Sequence, residues 1–194
     1  MTHMRHLAAA AALAALSFTA QAQGTAGGYV SLGGGLSSWD VDCEGTIRCD
    51  KSGSALRLAG GYRFGNGLAV EALYLNLGKT SADVNSFIGV VKSEIKGSAA
   101  GAGLAVFLPL GPNAELAARL GVASVSGKAT GSATGFATTT VADERKAKLY
   151  AGLGLAWRFT PTVQMELNWD TTKVELFDED AQVNTVTVGI GFRF

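Results

Sequence analysis

The last twelve residues of the chain, VNTVTVGIGFRF at positions 183–194, decide how the rest of the sequence is read. Every even position from 186 to 194 holds valine, isoleucine or phenylalanine, and the odd positions from 185 to 193 hold threonine, glycine or arginine. Strict alternation of this kind is typical of a β-strand that has one apolar face. The segment therefore predicts a strand whose two faces meet different surroundings.

Seven earlier segments show the same period of two. They span residues 28–38, 54–64, 68–77, 98–110, 114–124, 147–159 and 163–170, and their lengths are close to the 9–11 residues that a tilted membrane strand needs. Three connections, at 65–67, 111–113 and 160–162, are short and rich in turn formers. The other four, at about 39–53, 78–97, 125–146 and 171–182, are long and polar. This alternation predicts an all-β, antiparallel, up-and-down meander of eight strands.

Residues 1–22 have the features of a cleaved signal peptide. Arg5 precedes an apolar run over 7–16, and Ala20-Gln21-Ala22 forms an A-x-A cleavage pattern. The run is about half of the roughly 20 residues that a spanning helix requires, so a retained anchor is the weaker alternative. We therefore predict a signal peptide over 1–22 and one barrel domain over 23–194. A net charge of zero argues against a nucleic-acid partner.

One face of the eight segments carries no charge. It contains Val30, Leu32, Leu36, Leu56, Leu58, Tyr62, Val70, Ala72, Leu104, Val106, Leu108, Leu116, Leu120, Val122, Leu149, Leu153, Leu155, Val163, Met165, Leu167 and the terminal apolar set. A charged residue at mid-bilayer on such a face costs about 2–4 kcal/mol. A closed transmembrane barrel satisfies all backbone polar groups in lipid and fits this pattern. A soluble β-barrel or sandwich also alternates and is the alternative.

The opposite face mixes small residues with charges of both signs. We predict that its charges form a self-neutralising network in the barrel lumen, with the members Arg57, Arg63, Glu71, Arg119, Lys148, Arg158, Glu166, Asp170 and Arg193. Glycine and alanine between them indicate a narrow interior. A soluble barrel would instead carry lysine, glutamate, threonine and glutamine on its watery face.

Aromatic residues cluster near the ends of the predicted strands. Phe64, Trp157, Phe159, Phe192 and Phe194 lie beside the short turns, and Trp39, Tyr74 and Trp169 lie towards the long connections. Two aromatic belts are expected where a membrane meets water. The sequence therefore predicts lipid-interface positions for Phe64, Tyr74, Trp157, Phe159 and Trp169.

Two segments fit the alternation less well. Leu73, Leu75 and Leu77 fall on the inward parity of the third segment, and Phe107 falls on the inward parity of the fourth. A β-bulge or a one-residue change of register in either strand would account for them.

Cys43 and Cys49 lie in a polar stretch of the first long connection. An exported chain meets an oxidising compartment, where such a pair closes into a disulfide. A loop this short gains roughly 2 kcal/mol in the chain-entropy estimate. The alternative of a metal site is poor, because the chain has no histidine after His6 and two thiols do not complete a zinc site.

Three stretches carry a resemblance to a known family. They are VEALYLNLG at 70–78 after a Gly-Asn-Gly turn, RLGV at 119–122 and VGIGFRF at 188–194. With them the chain resembles the small eight-stranded outer-membrane barrels of the OmpA transmembrane domain, OmpX/Ail and opacity-protein type. The resemblance implies a bacterial outer-membrane location with extracellular loops and both termini in the periplasm. It also implies that Phe192 and Phe194 form the signal read by the barrel-assembly machinery.

Members of that family act as structural proteins, adhesins, complement-evasion factors or narrow channels. Without a histidine in the exported chain, the usual base for a serine nucleophile is missing, so we predict no enzyme and no catalytic, cofactor or metal site. The predicted role is structural or surface interaction, such as adhesion or host contact through the loops, and the alternative is a narrow gated channel. The predicted partners are outer-membrane lipid and lipopolysaccharide, the assembly machinery and a host or cell-surface ligand. The connection at 124–146, rich in Gly, Ala, Ser and Thr, has a composition that favours mobility.

Overall fold

The computed structural model describes residues 26–40, 48–86, 89–133, 139–176 and 179–194. Within them the strands are β1 (Gly27–Asp40), β2 (Arg48–Asp50), β3 (Ser52–Arg63), β4 (Leu68–Ser86), β5 (Gly89–Pro109), β6 (Ala114–Ala133), β7 (Thr139–Arg158), β8 (Val163–Leu176) and β9 (Glu179–Arg193). The described ranges contain no helix long and apolar enough to cross a membrane.

Eight of the strands close into one antiparallel barrel. Each long strand pairs with the next along the chain from β3 to β9, β1 pairs with both β3 and β9, and β4 pairs with β5. The short β2 lies outside this ring and pairs only with β4, through residues 81–83. The predicted eight-stranded up-and-down barrel is therefore confirmed, and closure leaves every barrel strand with a neighbour on both sides.

Three tight connections define one end of the barrel, which we call the turn end, and the opposite end is the loop end. In the first connection Gly67 has a φ of 82°, and the Leu68 amide donates to Asn66 Oδ1 at 3.1 Å. In the third, the Val163 amide donates to Thr160 Oγ1 at 2.9 Å. These side chains replace the ladder bonds that are lost where the chain reverses.

The prediction of long connections at 78–97 and 125–146 is wrong over most of both ranges. β4 and β5 stay paired up to Ser86 and Gly89, and β6 and β7 stay paired up to Gly131 and Thr139. The composition that predicted mobility over 124–146 is therefore found mostly in hydrogen-bonded strand. We call the extended parts of β4–β7, residues 79–86, 89–97, 125–133 and 139–148, the raised sheet.

The raised sheet extends past the rest of the barrel. Tyr150 is opposite Thr172 in the last β7–β8 pair, and above this pair β8 and β9 continue for only four further pairs, up to Leu176 and Glu179. β7 continues from there to Thr139, which is about 35 Å of strand at roughly 3.3 Å per residue. The loop end is consequently higher on one side than on the other.

A β-bulge at Gly78 begins the raised sheet in β4. The register with β5 shifts between Asn76 and Lys79, and Gly78 has a φ of 71°. A Cβ atom on Gly78 would lie 2.3 Å from the Ser54 carbonyl oxygen, so only glycine fits there. The bulge exchanges the two faces of the strand. As a result, Lys79 is exposed on the outside and Thr80 is buried inside.

The register change considered for the third segment occurs only at its end, between Asn76 and Lys79, and the fourth segment has none over residues 98–109. β4 pairs regularly from Leu68 to Asn76 and β5 pairs regularly with β6 from Ser98 to Pro109. Leu73, Leu75 and Phe107 are simply buried inside the barrel. The lumen therefore contains apolar layers as well as charges.

Two sequence predictions lie outside the described residues. The proposed signal peptide over 1–22 is one of them. The other is the disulfide, because Cys43 falls in the range 41–47, although the backbone of Cys49 belongs to β2. Both stay predictions.

Candidate functional site

The centre of the lumen holds a buried ion-pair network around Glu71. Its carboxylate accepts hydrogen bonds from Arg57 Nη2 at 3.1 Å, from Arg119 Nε at 3.2 Å and from the Tyr29 hydroxyl at 2.9 Å. All three partners are nearly inaccessible to solvent. Charged partners and several donors are what a buried carboxylate needs to offset its lost hydration.

Arg57 connects this network to the far wall of the barrel. Its Nε donates to Asp170 Oδ2 at 3.1 Å and its Nη1 donates to Ser31 Oγ at 3.1 Å. The guanidinium on β3 thus contacts side chains of β1, β4 and β8. It holds these three parts of the barrel wall together. Glu166 differs from the sequence interpretation, because among the described residues it accepts hydrogen bonds from the side-chain amides of Gln164 and Asn168 and not from an arginine.

A second ion-pair layer lies at the turn end. Glu115 accepts two parallel hydrogen bonds from Arg63, at 2.8 and 2.6 Å, and a third from Arg193 Nη2 at 2.7 Å. The Arg63 guanidinium lies 3.7 Å from the centre of the Phe107 ring, and Phe107 meets the Tyr29 ring edge to face at 5.6 Å. Phe107 therefore serves as a platform for the arginine.

The sequence analysis missed Glu115, although a signal for it was present. Glu115 has the same odd parity as Arg119 on its strand, and that parity points into the lumen. The remaining predicted members lie near the two mouths. Lys148 is half-buried at the loop end, where its ammonium donates to Glu175, and Arg158 is half-buried at the turn end.

An apolar layer closes the lumen between the central network and the loop end. Its members are Trp39, Ala59, Leu73, Leu75, Leu77, Ala99, Ala123, Val125, Tyr150, Val174 and Val183. Trp39 corrects a prediction, because it is only 1% exposed and donates from Nε1 to the Leu77 carbonyl at 3.1 Å instead of joining an outer belt. Close-packed apolar side chains exclude water from this section.

The outer face has the opposite character to the lumen. The predicted interface aromatics are exposed, namely Phe64, Tyr74, Trp157, Phe159 and Trp169, and so are Phe192 and Phe194. On the turn side Tyr62 and Phe64 pack edge to face at 5.6 Å. Exposed valine, leucine and isoleucine side chains fill the band between the aromatic positions. A contiguous apolar surface of this extent marks contact with a non-aqueous medium.

Basic side chains form a row on the outer face of the raised sheet. Lys79 of β4 is directly opposite Lys96 of β5, and Lys96 is directly opposite Lys128 of β6. Arg145 of β7 adjoins the row and donates from Nε to Ser126 Oγ at 2.9 Å. We call these four residues the basic row. They line a groove of about 520 Å³ just above Tyr74.

Two acidic residues accompany the basic row. Glu94 accepts from Lys96 at 2.9 Å and from Lys79 at 3.1 Å, and Asp143 is opposite Lys128 in the register, with a side chain outside the described set. Hydrogen bonds from Lys96 and Lys79 lower the pKa of Glu94, so it is ionised at neutral pH. The row still has more cations than anions.

A related contact joins β7 to β8 where their ladder has ended. Glu175 accepts hydrogen bonds from Lys146 and Lys148, and these bonds lower its pKa. Glu175 and Lys146 lie beyond the predicted membrane segments, and Lys148 lies at the loop-side end of the segment predicted over 147–159. They hold the edge of β7 close to the shorter β8.

Comparisons with known proteins agree with this architecture. The family model of the outer membrane protein beta-barrel domain matches residues 8–194. Ail, the attachment invasion locus protein of Yersinia pestis, is 22% identical, with 87% of this chain and 99% of that chain covered and a TM-score of 0.58. Neisserial surface protein A is 14% identical, with coverages of 88% and 100% and a TM-score of 0.62.

The outer membrane protein OprG from Pseudomonas aeruginosa is 16% identical, with coverages of 89% and 98% and a TM-score of 0.58. No curated protein sequence matches the chain. At such low identities the structural likeness establishes the fold and nothing finer. The family model, which spans nearly all of the sequence, establishes more: the chain belongs to the outer membrane protein beta-barrel domain family, the small eight-stranded barrels of the bacterial outer membrane.

Proposed function

We propose that this barrel is a surface-interaction protein whose raised sheet binds anionic glycans outside the cell. The raised sheet and loop end face the exterior, and the turn end and both termini face the periplasm. Short periplasmic turns and long outer extensions are the rule for bacterial outer-membrane barrels. The lumen has a structural role in this proposal, because its packed layers leave the rims as the surfaces that meet ligands.

The basic row is the observation that carries the proposal. Lysines directly opposite one another on neighbouring strands repel and destabilise a sheet. Lys79 and Lys96 nevertheless pair across β4 and β5, and Lys96 pairs with Lys128 across β5 and β6. Their ammonium groups are well exposed, with side-chain accessibilities of 64% for Lys79 and 60% for Lys96. Glu94 offsets part of the repulsion between Lys79 and Lys96, and a bound polyanion would offset the remainder.

The geometry of the row suits an extended, repeating anion. Adjacent strands are about 4.8 Å apart, so the lysines present regularly spaced charges across the sheet. Arg145 extends the set to β7. The solved structure of Ail in complex with the heparin analogue sucrose octasulfate, a structure 22% identical to this chain with a TM-score of 0.55, supplies a practical probe of this chemistry.

Three further assignments complete the proposal. Residues 1–22 are removed on export, and Cys43 and Cys49 close a disulfide in the first outer connection. Phe192 and Phe194 are read by the barrel-assembly machinery. The exposed aromatics Phe64, Tyr74, Trp157, Phe159 and Trp169 anchor the barrel at the two lipid interfaces.

Affinity for immobilised heparin tests the proposal. We expect the purified, refolded barrel to bind at low salt and to elute as the salt concentration rises, because screening weakens exposed charge interactions. Lys96→Gln/Lys128→Gln should raise the apparent dissociation constant at least tenfold. The control Lys173→Gln removes an exposed cation of β8 that does not line the groove and should change it less than threefold. Folding is checked for each protein by its shift in electrophoretic mobility on boiling.

The bacterium's own lipopolysaccharide is the other source of anionic glycan. Binding is therefore compared between heparin and bilayers that contain lipopolysaccharide. If the row variant loses only the lipopolysaccharide interaction, the site serves the barrel's own membrane and host contact is rejected. Equal losses for the row variant and the control variant would reject a role for the row in either interaction.

A further inference from the structure

The turn-end mouth of the lumen has a surplus of positive charge. Arg63, Arg158 and Arg193 line the same pocket, whose volume is about 230 Å³. Glu115 is the carboxylate that Arg63 and Arg193 contact there. Tyr29 and Phe194 form part of the pocket wall. Three guanidinium groups therefore share one acidic side chain among the described residues.

Glu115 has little capacity left for a third arginine. Its Oε1 accepts from both Arg63 at 2.6 Å and Arg193 at 2.7 Å, and its Oε2 accepts from Arg63 at 2.8 Å. The side chains of Arg63 and Glu115 are 8% and 7% exposed, so water reaches this pair poorly. The contact with Glu115 uses only one nitrogen of Arg193, Nη2.

Among the described residues, Arg158 is the guanidinium of this pocket that forms no ion pair. Its Nε is buried and has no hydrogen-bond partner in the described part of the chain, and no carboxylate there lies within ion-pair distance. The backbone places the residue firmly, because its amide donates to the Asn113 carbonyl at 2.8 Å. A partly buried charge without a partner is costly unless something else binds it. Were Phe194 the C-terminal residue, its main-chain carboxylate would add one negative charge beside Glu115. The three arginines would still outnumber the two carboxylates by one.

The centre of the lumen shows that this surplus is local. There Arg57 and Arg119 form ion pairs with Glu71 and Asp170 within 3.2 Å, and Glu166 is a further buried carboxylate near Arg119. The centre of the lumen therefore has no excess of cations, whereas the turn-end mouth does. The unbalanced group faces a pocket large enough for a small anion.

We propose that the turn-end pocket binds a compact oxyanion, a phosphate or carboxylate group, between Arg158 and Arg193. Guanidinium groups present paired N–H donors in a planar fork that matches the oxygens of such anions. The anion is either a free solute of the periplasm or the phosphate of a phospholipid headgroup at the inner leaflet. This site lies at the opposite end of the barrel from the basic row, so the two proposals stand or fall separately.

Inorganic phosphate is the probe for the first source. The barrel is refolded in a maltoside detergent, which contains no phosphate, and the Nε–Hε signals of its arginines are followed by NMR during a phosphate titration. We expect saturable shifts of the Arg158 and Arg193 signals. Arg158→Gln should raise the dissociation constant at least tenfold, whereas Lys173→Gln, which removes an exposed cation of β8 outside both proposed sites, should change it less than twofold.

Phospholipid nanodiscs test the second source. If a headgroup is the ligand, the Arg158 signal shifts on transfer from maltoside to nanodiscs in phosphate-free buffer, and added phosphate has little further effect. An Arg158 signal that responds neither to phosphate nor to phospholipid overturns the proposal. The proposal is also overturned if the Arg193 signal responds to the anion in the Arg158→Gln variant as it does in the wild type. The boiling shift and the spectrum of the remaining residues show whether each variant is folded.

Discussion

Replacement of Arg57 by methionine is the sharpest test of how the barrel is held together. Arg57 is 1% exposed and makes side-chain contacts with Glu71, Asp170 and Ser31. Methionine keeps much of the length and apolar volume of the arginine stem but has no donor. The substitution therefore removes the hydrogen bonds with little change of shape.

The expected loss in the free energy of unfolding follows from what the substitution does to the partners of Arg57. Glu71 retains Arg119 and Tyr29, so it loses one of its three donors. Asp170 fares worse, because Oδ2 loses Arg57 and Oδ1 already lacks a partner among the described residues. Two hydrogen bonds between charged groups, at about 1.5–3 kcal/mol each, and one uncompensated buried carboxylate indicate a loss of about 3–5 kcal/mol in the free energy of unfolding.

The assay is reversible urea unfolding of the barrel in lipid vesicles, followed by tryptophan fluorescence. Arg145→Met on the raised sheet is the control and should change the free energy by less than about 0.5 kcal/mol. Adding Asp170→Asn to Arg57→Met should recover at least about 1 kcal/mol, since a neutral amide is easier to leave unpaired than a carboxylate. A loss below about 1 kcal/mol for Arg57→Met, or no recovery in the double variant, would refute the reasoning.

Three further outcomes are expected. Gly78→Val should lower the free energy of unfolding in urea by about 1–3 kcal/mol, because valine is strained at the positive φ of this position. It should also weaken heparin binding by disturbing the bulge, and an unchanged heparin affinity would contradict a role of the bulge in binding. Because bonds from Lys146 and Lys148 lower the pKa of Glu175, their stabilising effect is complete above the ordinary glutamate pKa and is lost as the pH falls through the lowered value. The protection factors of amides at the base of β7, which correct for the intrinsic exchange rate at each pH, should accordingly fall at acidic pH, and Glu175→Gln should abolish that fall. Planar-bilayer recordings should show no reproducible channel for the wild type or for Arg119→Ala, because the apolar layer stays in place; steady currents from the wild type would favour the gated-channel alternative.

The sequence predicted the part of the fold that touches lipid. Alternation is visible wherever one face of a strand meets lipid and the other meets a polar or crowded lumen, as in residues 183–194. The same rule explains why the sequence wrongly predicted loops at 78–97 and 125–146. There the strands of the raised sheet leave the membrane, and no lipid imposes an apolar face on them, so they resemble polar loops in composition.

The parity of a residue along its strand also indicates whether an aromatic or apolar side chain points into the lumen. Trp39 has the odd parity of Ser37 and Ser31, which are buried in β1, so its inward position was predictable. Leu73 and Leu75 were read as signs of irregular register because an apolar residue was expected only outside. The partnership of Arg57 with Asp170 could not be predicted, since it crosses the lumen between strands 113 residues apart in sequence.

The two proposed anion sites, one at each rim of the barrel, use different side chains, and the difference has a physical basis. Lysine is a flexible, strongly hydrated point charge, and it suits an exposed row that contacts a ligand of variable sequence and length. Arginine is a rigid planar fork that loses less on burial, and it suits an enclosed pocket that holds one oxyanion in a fixed orientation. Lys79, Lys96 and Lys128 lie exposed on the raised sheet, whereas Arg63 and Arg193 are largely enclosed at the turn end. Because eight strands leave a lumen that side chains can fill, binding at either rim can be tuned without opening a path between them.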